Sequence, residues 1–372
     1  MIKHIPLQPW PVLTMAAAFS TMRDLYIQLR ITDIIPETPD TYTYRLEPAN
    51  GEPVPYQAGQ FLTFLITLHG TEYRRSYSFS STPGVDAQMS VTVKRITNGE
   101  ISRHIHRTWQ VGQTVTSLLP SGRFTLDAAP GEERDLFFLG AGSGITPLFS
   151  LLQHALYFEP AAHVTLIYSS RNAQNAIFYQ RILELQRQFP ERLVILWLFS
   201  DPGDEPAAYR RMSNSLLEML APKHLQHPRE KAQFYICGPA DYMRMAQFTL
   251  TFMGFRTDQL HKENFVVNTA AKIARIQVPD DAGIKQVLLK HENKTQVLPV
   301  PGNETILHAA LRQEVPMPYS CKGGVCGSCI ARCTSGKVWM TVNEVLTDKE
   351  LSQGLVLTCT GYAQTDEVTL EW

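Results

Sequence analysis

The sequence predicts three folded units in series: an antiparallel β-barrel, a central α/β unit with a parallel sheet, and a small C-terminal α+β unit. Three observations predict this. Residues 24–127 alternate apolar and polar side chains with the two-residue period of half-buried strands, and Gly or Pro turns separate the runs. Residues 134–265 change to short apolar runs alternating with helical spacing, the pattern of a parallel sheet covered on both faces. Five of the six cysteines then fall between 321 and 359. These shifts predict an extension over 1–22, the barrel over 23–130, the α/β unit over 131–265, a polar linker over 266–283 and the last unit over 284–372.

Bulk composition bounds the function. The 372 residues are 44% hydrophobic and 19% charged, ordinary for a globular protein. A net charge of -1 gives no general attraction to nucleic acid. The longest apolar runs, such as Leu193 to Phe199, are too short to span a bilayer. The first 22 residues carry Pro6, Pro9 and Pro11 and only a brief apolar patch, Met15 to Phe19, so a loosely docked extension is expected rather than a signal peptide. A local cysteine cluster in a long, otherwise cysteine-poor chain suggests a metal site in a reducing, cytoplasmic compartment rather than a disulfide scaffold.

In the first unit, Leu25, Ile27, Leu29 and Ile31 alternate with polar residues, as do Met89, Val91 and Val93. Phe61 to Leu68 reads as a buried strand and leads to Arg75-Ser76-Tyr77-Ser78. Alternation puts Arg75 and Tyr77 on one face and Ser78 on the other. Alone, Arg-x-Tyr-Ser is a weak string that suits any edge strand. Downstream, Val93-Lys94-Arg95 precedes Gly99-Glu100-Ile101-Ser102, which reads as a helix start whose free N–H groups suit phosphate. Pro120-Ser121-Gly122-Arg123-Phe124 closes the barrel.

In the second unit, Leu136 to Leu139 leads into Gly140-Ala141-Gly142-Ser143-Gly144-Ile145-Thr146-Pro147. Glycines at the mouth of a helix allow close approach of a diphosphate, and Pro147 suits a first helical turn. The string departs from G-x-G-x-x-G, because Ile145 holds the third glycine position. Apolar residues at 148, 149, 151, 152, 155 and 156 then mark the helix. Further strands are expected at His163 to Tyr168, Leu193 to Phe199 and Gln233 to Cys237, the last followed by Gly238 and Pro239. The strand ending Tyr168-Ser169-Ser170 runs into Arg171 with no acid, which favours a 2′-phosphate, hence NADPH over NADH.

In the third unit, Val287, Leu289 and Val297 alternate with polar residues, and a helix is expected over Glu304 to Arg312. The cysteines follow as C-x4-C-x2-C over Cys321, Cys326 and Cys329, then 29 residues, then Cys359. Four thiolates on a glycine-rich loop suit a [2Fe–2S] cluster, because thiolates stabilise its soft core and glycines let N–H groups turn toward sulfur. Structural zinc usually uses two C-x2-C pairs, and only one is present. A [4Fe–4S] motif is hinted at by Cys326, Cys329 and Cys333 but lacks its preceding C-x2-C step and following proline. Cys333, in a strand-like Ile330-Ala331-Arg332-Cys333 run, is expected to be a buried spectator.

The cysteine loop, with Pro318-Tyr319-Ser320 before it and Thr358 before the last ligand, resembles that of plant-type ferredoxins, which implies a β-grasp fold. The barrel motifs, the Gly-x-Gly-x-Gly-Ile-Thr-Pro loop and Cys237-Gly238-Pro239 together resemble the ferredoxin–NADP reductase superfamily. That resemblance implies FAD in preference to the FMN of one branch, with Arg75, Tyr77, Ser78 and Val93 at the flavin and Gly99, Ile101 and Ser102 near its phosphates. It implies NADPH or NADH on Gly142, Gly144, Thr146 and Arg171. Cys237, Gly238 and Pro239 would sit beside hydride transfer, with Cys237, Tyr77 and Ser78 closest to the chemistry, and Glu263-Asn264-Phe265 would close the domain near the flavin. The domain order resembles reductases that serve phenylacetyl-CoA epoxidase and related oxygenases. It therefore implies a protein electron acceptor, expected to be a di-iron oxygenase component. Other hydroxylases, a desaturase, a hybrid-cluster protein or a stand-alone flavin reductase are the alternatives.

Overall fold

The computed structural model describes residues 25–127, 129, 131–203, 209–265, 278–291 and 294–372. The N-terminal extension and most of the expected linker lie outside the described residues.

The first sheet is antiparallel, with strands β1 (Tyr26–Thr38), β2 (Thr41–Pro48), β3 (Phe61–Leu68), β4 (Thr71–Ser78), β5 (Met89–Lys94) and β6 (Thr114–Leu118) in the order β4-β3-β6-β1-β2-β5. A bridge between Phe79 and Val91 draws the two edges together, so the sheet curls into a barrel. Leu29, Ile31, Phe64 and Val91 are fully buried inside it. Helix α1 (Glu100–Thr108) caps the barrel through Ile101 and Ile105, and Trp109 lies edge-on to Phe64 at 5.0 Å.

The second sheet is wholly parallel in its described strands: β7 (Asp135–Ala141), β8 (His163–Ser170), β9 (Leu193–Phe199), β10 (Ala232–Cys237) and β11 (Leu260–Glu263), in the order β11-β10-β7-β8-β9. Its central strand is apolar on both faces for a physical reason. Leu136 and Phe138 enter one core, under α2 (Ile145–Phe158) and α3 (Tyr179–Gln188). Phe137 and Leu139 enter the other, under α4 (Asn214–Lys223) and α5 (Ala240–Phe252).

The third unit has a mixed sheet of β12 (Ile284–His291), β13 (Lys294–Pro301), β14 (Ile330–Ser335), β16 (Leu355–Leu357) and β18 (Glu367–Glu371), in the order β13-β12-β18-β14-β16. A small pair, β15 (Val338–Met340) and β17 (Gly361–Ala363), and helices α6 (Ile306–Arg312) and α7 (Asp348–Ser352) complete it.

Three expectations are corrected here. Helix α6 begins at Ile306 rather than Glu304, because Thr305 is its N-cap and accepts from His308 N at 3.3 Å. Val297 is 51% exposed; on the edge strand β13 the inward positions are Leu298 and Val300. Cys333 is half-buried rather than buried, its thiol donating to the Ser335 carbonyl at 3.3 Å.

Side-chain contacts join the units. Ser150 Oγ donates to the Ser81 carbonyl at 2.6 Å and Thr82 Oγ1 to the Ser150 carbonyl at 2.8 Å, fixing the α/β unit to the barrel. The third unit meets both: Asn264 donates to Glu344 at 3.2 Å, and Arg123 pairs with Glu350. Among the described residues, no helix is long and apolar enough to cross a membrane.

Candidate functional site

Strand β4 pairs with β3 through Phe61–Ser78, Leu62–Tyr77, Thr63–Ser76 and Phe64–Arg75, so the buried first half of β3 fixes the Arg-Ser-Tyr-Ser run. A cavity of about 510 Å³ opens beside it, within the range of cofactor sites. Arg75, Tyr77 and Ser78 line it, together with Gly99, Ile101 and Ser102 at the start of α1. Ser143 and Thr146 line it from the glycine loop of the α/β unit, so two units that are distant in sequence close on one space. Burial pushes the Tyr77 phenol up, as expected for a ring with an apolar body.

Gly99 is the N-cap of α1, and only glycine fits there without a shift, since a Cβ would lie 2.8 Å from both Ile96 Cβ and Ser102 Oγ. Ser102 Oγ is spent on this turn, accepting from Ile96 N at 3.1 Å and donating to the Gly99 carbonyl at 3.2 Å. Its hydroxyl therefore builds the helix mouth, leaving the first-turn N–H groups to face a ligand. Val93 is separated from the cavity. Its side chain is fully buried in the barrel core, and its neighbours Thr92 and Lys94 line the space instead.

The glycine loop and the Cys-Gly-Pro turn meet directly. Gly144 lies so close to Cys237 that an added Cβ would be 2.1 Å from the Cys237 carbonyl oxygen. Cys237 is fully buried at the end of β10, level with Gly140 on one side and Glu263 on the other. Burial pushes its thiol well up, and the Glu263 carboxyl adds to this. Burial also pushes Glu263 itself up to about 8, so both groups are mainly uncharged at neutral pH. Gly238 packs on Ala141, 2.9 Å from where its own Cβ would stand, and Pro239 caps the N-terminus of α5.

A second cavity, about 280 Å³, lies outside the carboxyl ends of the parallel strands. Gly142, Ser169, Ser170 and Arg171 line it with Asn175, Ser200, Asp40 and Lys94. Gly142 has φ +55, a conformation glycine adopts without strain, and its carbonyl accepts from the buried Tyr168 hydroxyl at 3.1 Å. The residue missed from sequence is Asp40, which reaches this cavity from the turn between β1 and β2. Lys94 stands 3.6 Å from it and offsets its charge.

The four expected ligand cysteines converge. Cys321 faces Cys326 and Cys359, and Cys329 faces Cys359. These neighbours hold the Cys321 thiol low, with help from the Gly323 N–H at 3.4 Å, and push Cys326 and Cys359 up. The four sulfurs therefore lie together on one loop and its neighbouring strand end, the donor set that a cluster held by thiolates needs. The loop is shaped for it: Lys322, Gly324 and Gly327 have φ of 54, 74 and 73. A Cβ on Gly324 would stand 2.6 Å from the Val342 carbonyl oxygen. The residues fit a [2Fe–2S] group, with Cys333 turned away toward Ser335.

Comparison with known proteins agrees unit by unit. Residues 28–126 match an oxidoreductase FAD-binding domain, 138–248 an oxidoreductase NAD-binding domain, and 289–364 a 2Fe-2S iron-sulfur cluster binding domain. The chain is 31% identical to one of the subunits of 1,2-phenylacetyl-CoA epoxidase from Escherichia coli (strain K12), over 92% of this chain and 97% of that one. It is also 31% identical to the ferredoxin reductase component of 3-ketosteroid-9-alpha-monooxygenase from Mycobacterium tuberculosis, over 97% and 99%. The fold matches phthalate dioxygenase reductase with a TM-score of 0.56 at 23% identity, covering 94% of this chain and 99% of that one.

Proposed function

Because the chain belongs to the iron–sulfur flavoprotein reductases of the ferredoxin–NADP reductase superfamily, we propose that it draws electrons from NADPH and delivers them to a di-iron oxygenase component of the phenylacetyl-CoA epoxidase kind. It is an NAD(P)H oxidoreductase whose cofactors are FAD and a [2Fe–2S] cluster. Bound FAD takes up a two-electron hydride and gives out electrons singly, as a cluster that accepts one at a time requires.

The chain's own residues have the following roles in this reading. Arg75 pairs with the FAD diphosphate, Tyr77 covers the ring and Ser78 offers it a hydroxyl. Gly99 makes the turn with its own N–H on the Ile96 carbonyl, the N–H groups of Ile101 and Ser102 face phosphate, and Val93 backs this wall from the barrel core. Gly142, Gly144 and Thr146 seat the nicotinamide nucleotide. Cys237, Gly238 and Pro239 lie beside the transferred hydride, with Phe265, which lines the flavin cavity, closing the site. An uncharged Cys237 and Glu263 keep fixed negative charge away from that place. The ligands Cys321, Cys326, Cys329 and Cys359 hold the cluster.

One observation carries the reading most: the flavin cavity takes its walls from both the Arg-Ser-Tyr-Ser strand and the glycine loop. NADPH is favoured by Arg171 in the second cavity, where the one acid, Asp40, already has Lys94 as partner. A cytoplasmic location is supported by cysteines that serve a cluster on one loop, as a reducing compartment allows. Reconstitution of the loaded protein with a di-iron epoxidase component should couple NADPH oxidation to product formation. Coupling only to a different oxygenase, or to dyes with no oxygenase, contradicts the acceptor named here.

A further inference from the structure

Strand β4 has two working faces. Tyr73, Arg75 and Tyr77 stand in the wall of the flavin cavity. Arg74 and Ser76 reach the cysteine loop of the third unit: Arg74 Nη1 donates to the Tyr319 carbonyl at 3.4 Å, and Ser76 Oγ lies 2.8 Å from Ser320 Oγ. Ser76 also lines the cavity, and Ser320 is the residue before Cys321. A single strand therefore separates the flavin space from the cluster loop.

This contact is built rather than incidental. Ser76 Oγ is oriented from behind by Thr63 Oγ1 at 2.9 Å, on a residue 1% exposed. The Arg74 guanidinium lies 3.8 Å from the centre of the Tyr319 ring. Its other donors go to the Tyr26 hydroxyl and Glu72, each at 3.0 Å, so the side chain is held on four sides and is only 10% exposed. An arginine held by three hydrogen-bond partners and a ring face fixes geometry, because removing it leaves several groups unsatisfied.

We propose that Ser76 and Ser320 form the electron bridge between flavin and cluster, and that Arg74, gripping Tyr319, is the positioning residue that keeps the bridge closed. This rests on the reductase reading above. Tunnelling falls steeply with each through-space gap, and a 2.8 Å hydrogen bond replaces such a gap between cavity wall and ligand loop. The reduced flavin loses one electron and the oxidised cluster gains one; no atom crosses the contact.

The test uses the loaded protein and four variants: Ser76→Ala, Ser320→Ala, Arg74→Ala and Arg74→Lys. Visible spectra first establish flavin and cluster content. Anaerobic stopped-flow with NADPH then separates flavin reduction from the later cluster reduction. Hydrogen–deuterium exchange over 71–78 and 319–322 reads docking independently of activity. The expected result is cluster reduction slowed about tenfold in Ser76→Ala, Ser320→Ala and Arg74→Ala, with flavin reduction unchanged in Ser320→Ala and Arg74→Ala. Exchange should rise in Arg74→Ala and recover in part in Arg74→Lys. Ser320→Ala, whose residue is outside the flavin cavity walls, decides the matter if Ser76→Ala binds flavin poorly, and Arg74→Ala decides it if cluster content falls. Unchanged cluster reduction with unchanged exchange overturns the bridge, as does equal slowing of both steps. If the unmodified protein itself never reduces its cluster, the reductase reading fails instead.

Discussion

Gly144 sits against the carbonyl of Cys237 so closely that a single added carbon would approach its oxygen to 2.1 Å. The glycine loop and the Cys-Gly-Pro turn are thus two halves of one packed contact. Since Gly144 has φ -61, an ordinary helical value, space alone demands glycine here.

Gly144→Ala should therefore destabilise the α/β unit by about 1–3 kcal/mol, the usual cost of overpacking against backbone that cannot yield. Chemical denaturation of the loaded protein measures this. The same variant should lose affinity for the nicotinamide nucleotide, read by fluorescence titration.

Cys359→Ser should lose the red-brown chromophore and its iron, while Cys333→Ser should keep both. The geometry gives the reason: Cys359 faces Cys321 and Cys329, whereas Cys333 is turned to Ser335. Iron content and visible absorbance check the pair, and the reverse pattern would displace the ligand assignment.

Arg171→Ala should lower kcat/KM for NADPH by about 10- to 100-fold, the range of a lost charge-assisted hydrogen bond, and leave NADH nearly unaffected. Asp40→Ala should help NADH little, because Lys94 already offsets that charge. Steady-state kinetics with both nucleotides distinguishes the two.

Burial raises the Glu263 carboxyl from 4.5 to about 8 in the folded chain. The folded state thus binds this proton more tightly than the unfolded state. Its contribution to stability is complete below about pH 4.5 and is lost as pH rises through about 8, amounting to a few kcal/mol. Glu263→Gln should flatten the dependence of stability on pH between about 4.5 and 8, measured by denaturant midpoints.

Much of this architecture is legible in the residues themselves. Strands β3 and β9 coincide with the apolar runs Phe61–Leu68 and Leu193–Phe199, because a short, nearly continuous apolar run needs no arbitration of face. The cysteine ligands and the glycine loop are readable because their chemistry fixes residue type and spacing together. The departures have a shared cause, which is that local pattern does not say what lies across a face. Val297 and Leu298 are equally apolar, and only the sheet on one side decides that Leu298 turns inward. Val93 sits in a motif that resembles a flavin contact, yet the barrel interior takes its side chain. Asp40 reaches the nucleotide cavity from a turn about 130 residues before Arg171, and Ser76 meets Ser320 across 244 residues. No period or motif encodes such meetings.

The central claim is a single circuit from nicotinamide through flavin to cluster. Anaerobic titration of the loaded protein with NADPH, followed by visible and electron paramagnetic resonance spectra, tests it most directly. The account predicts bleaching of the flavin bands together with the rhombic signal of a reduced [2Fe–2S] cluster. Flavin bleaching with the cluster left oxidised and silent would contradict it.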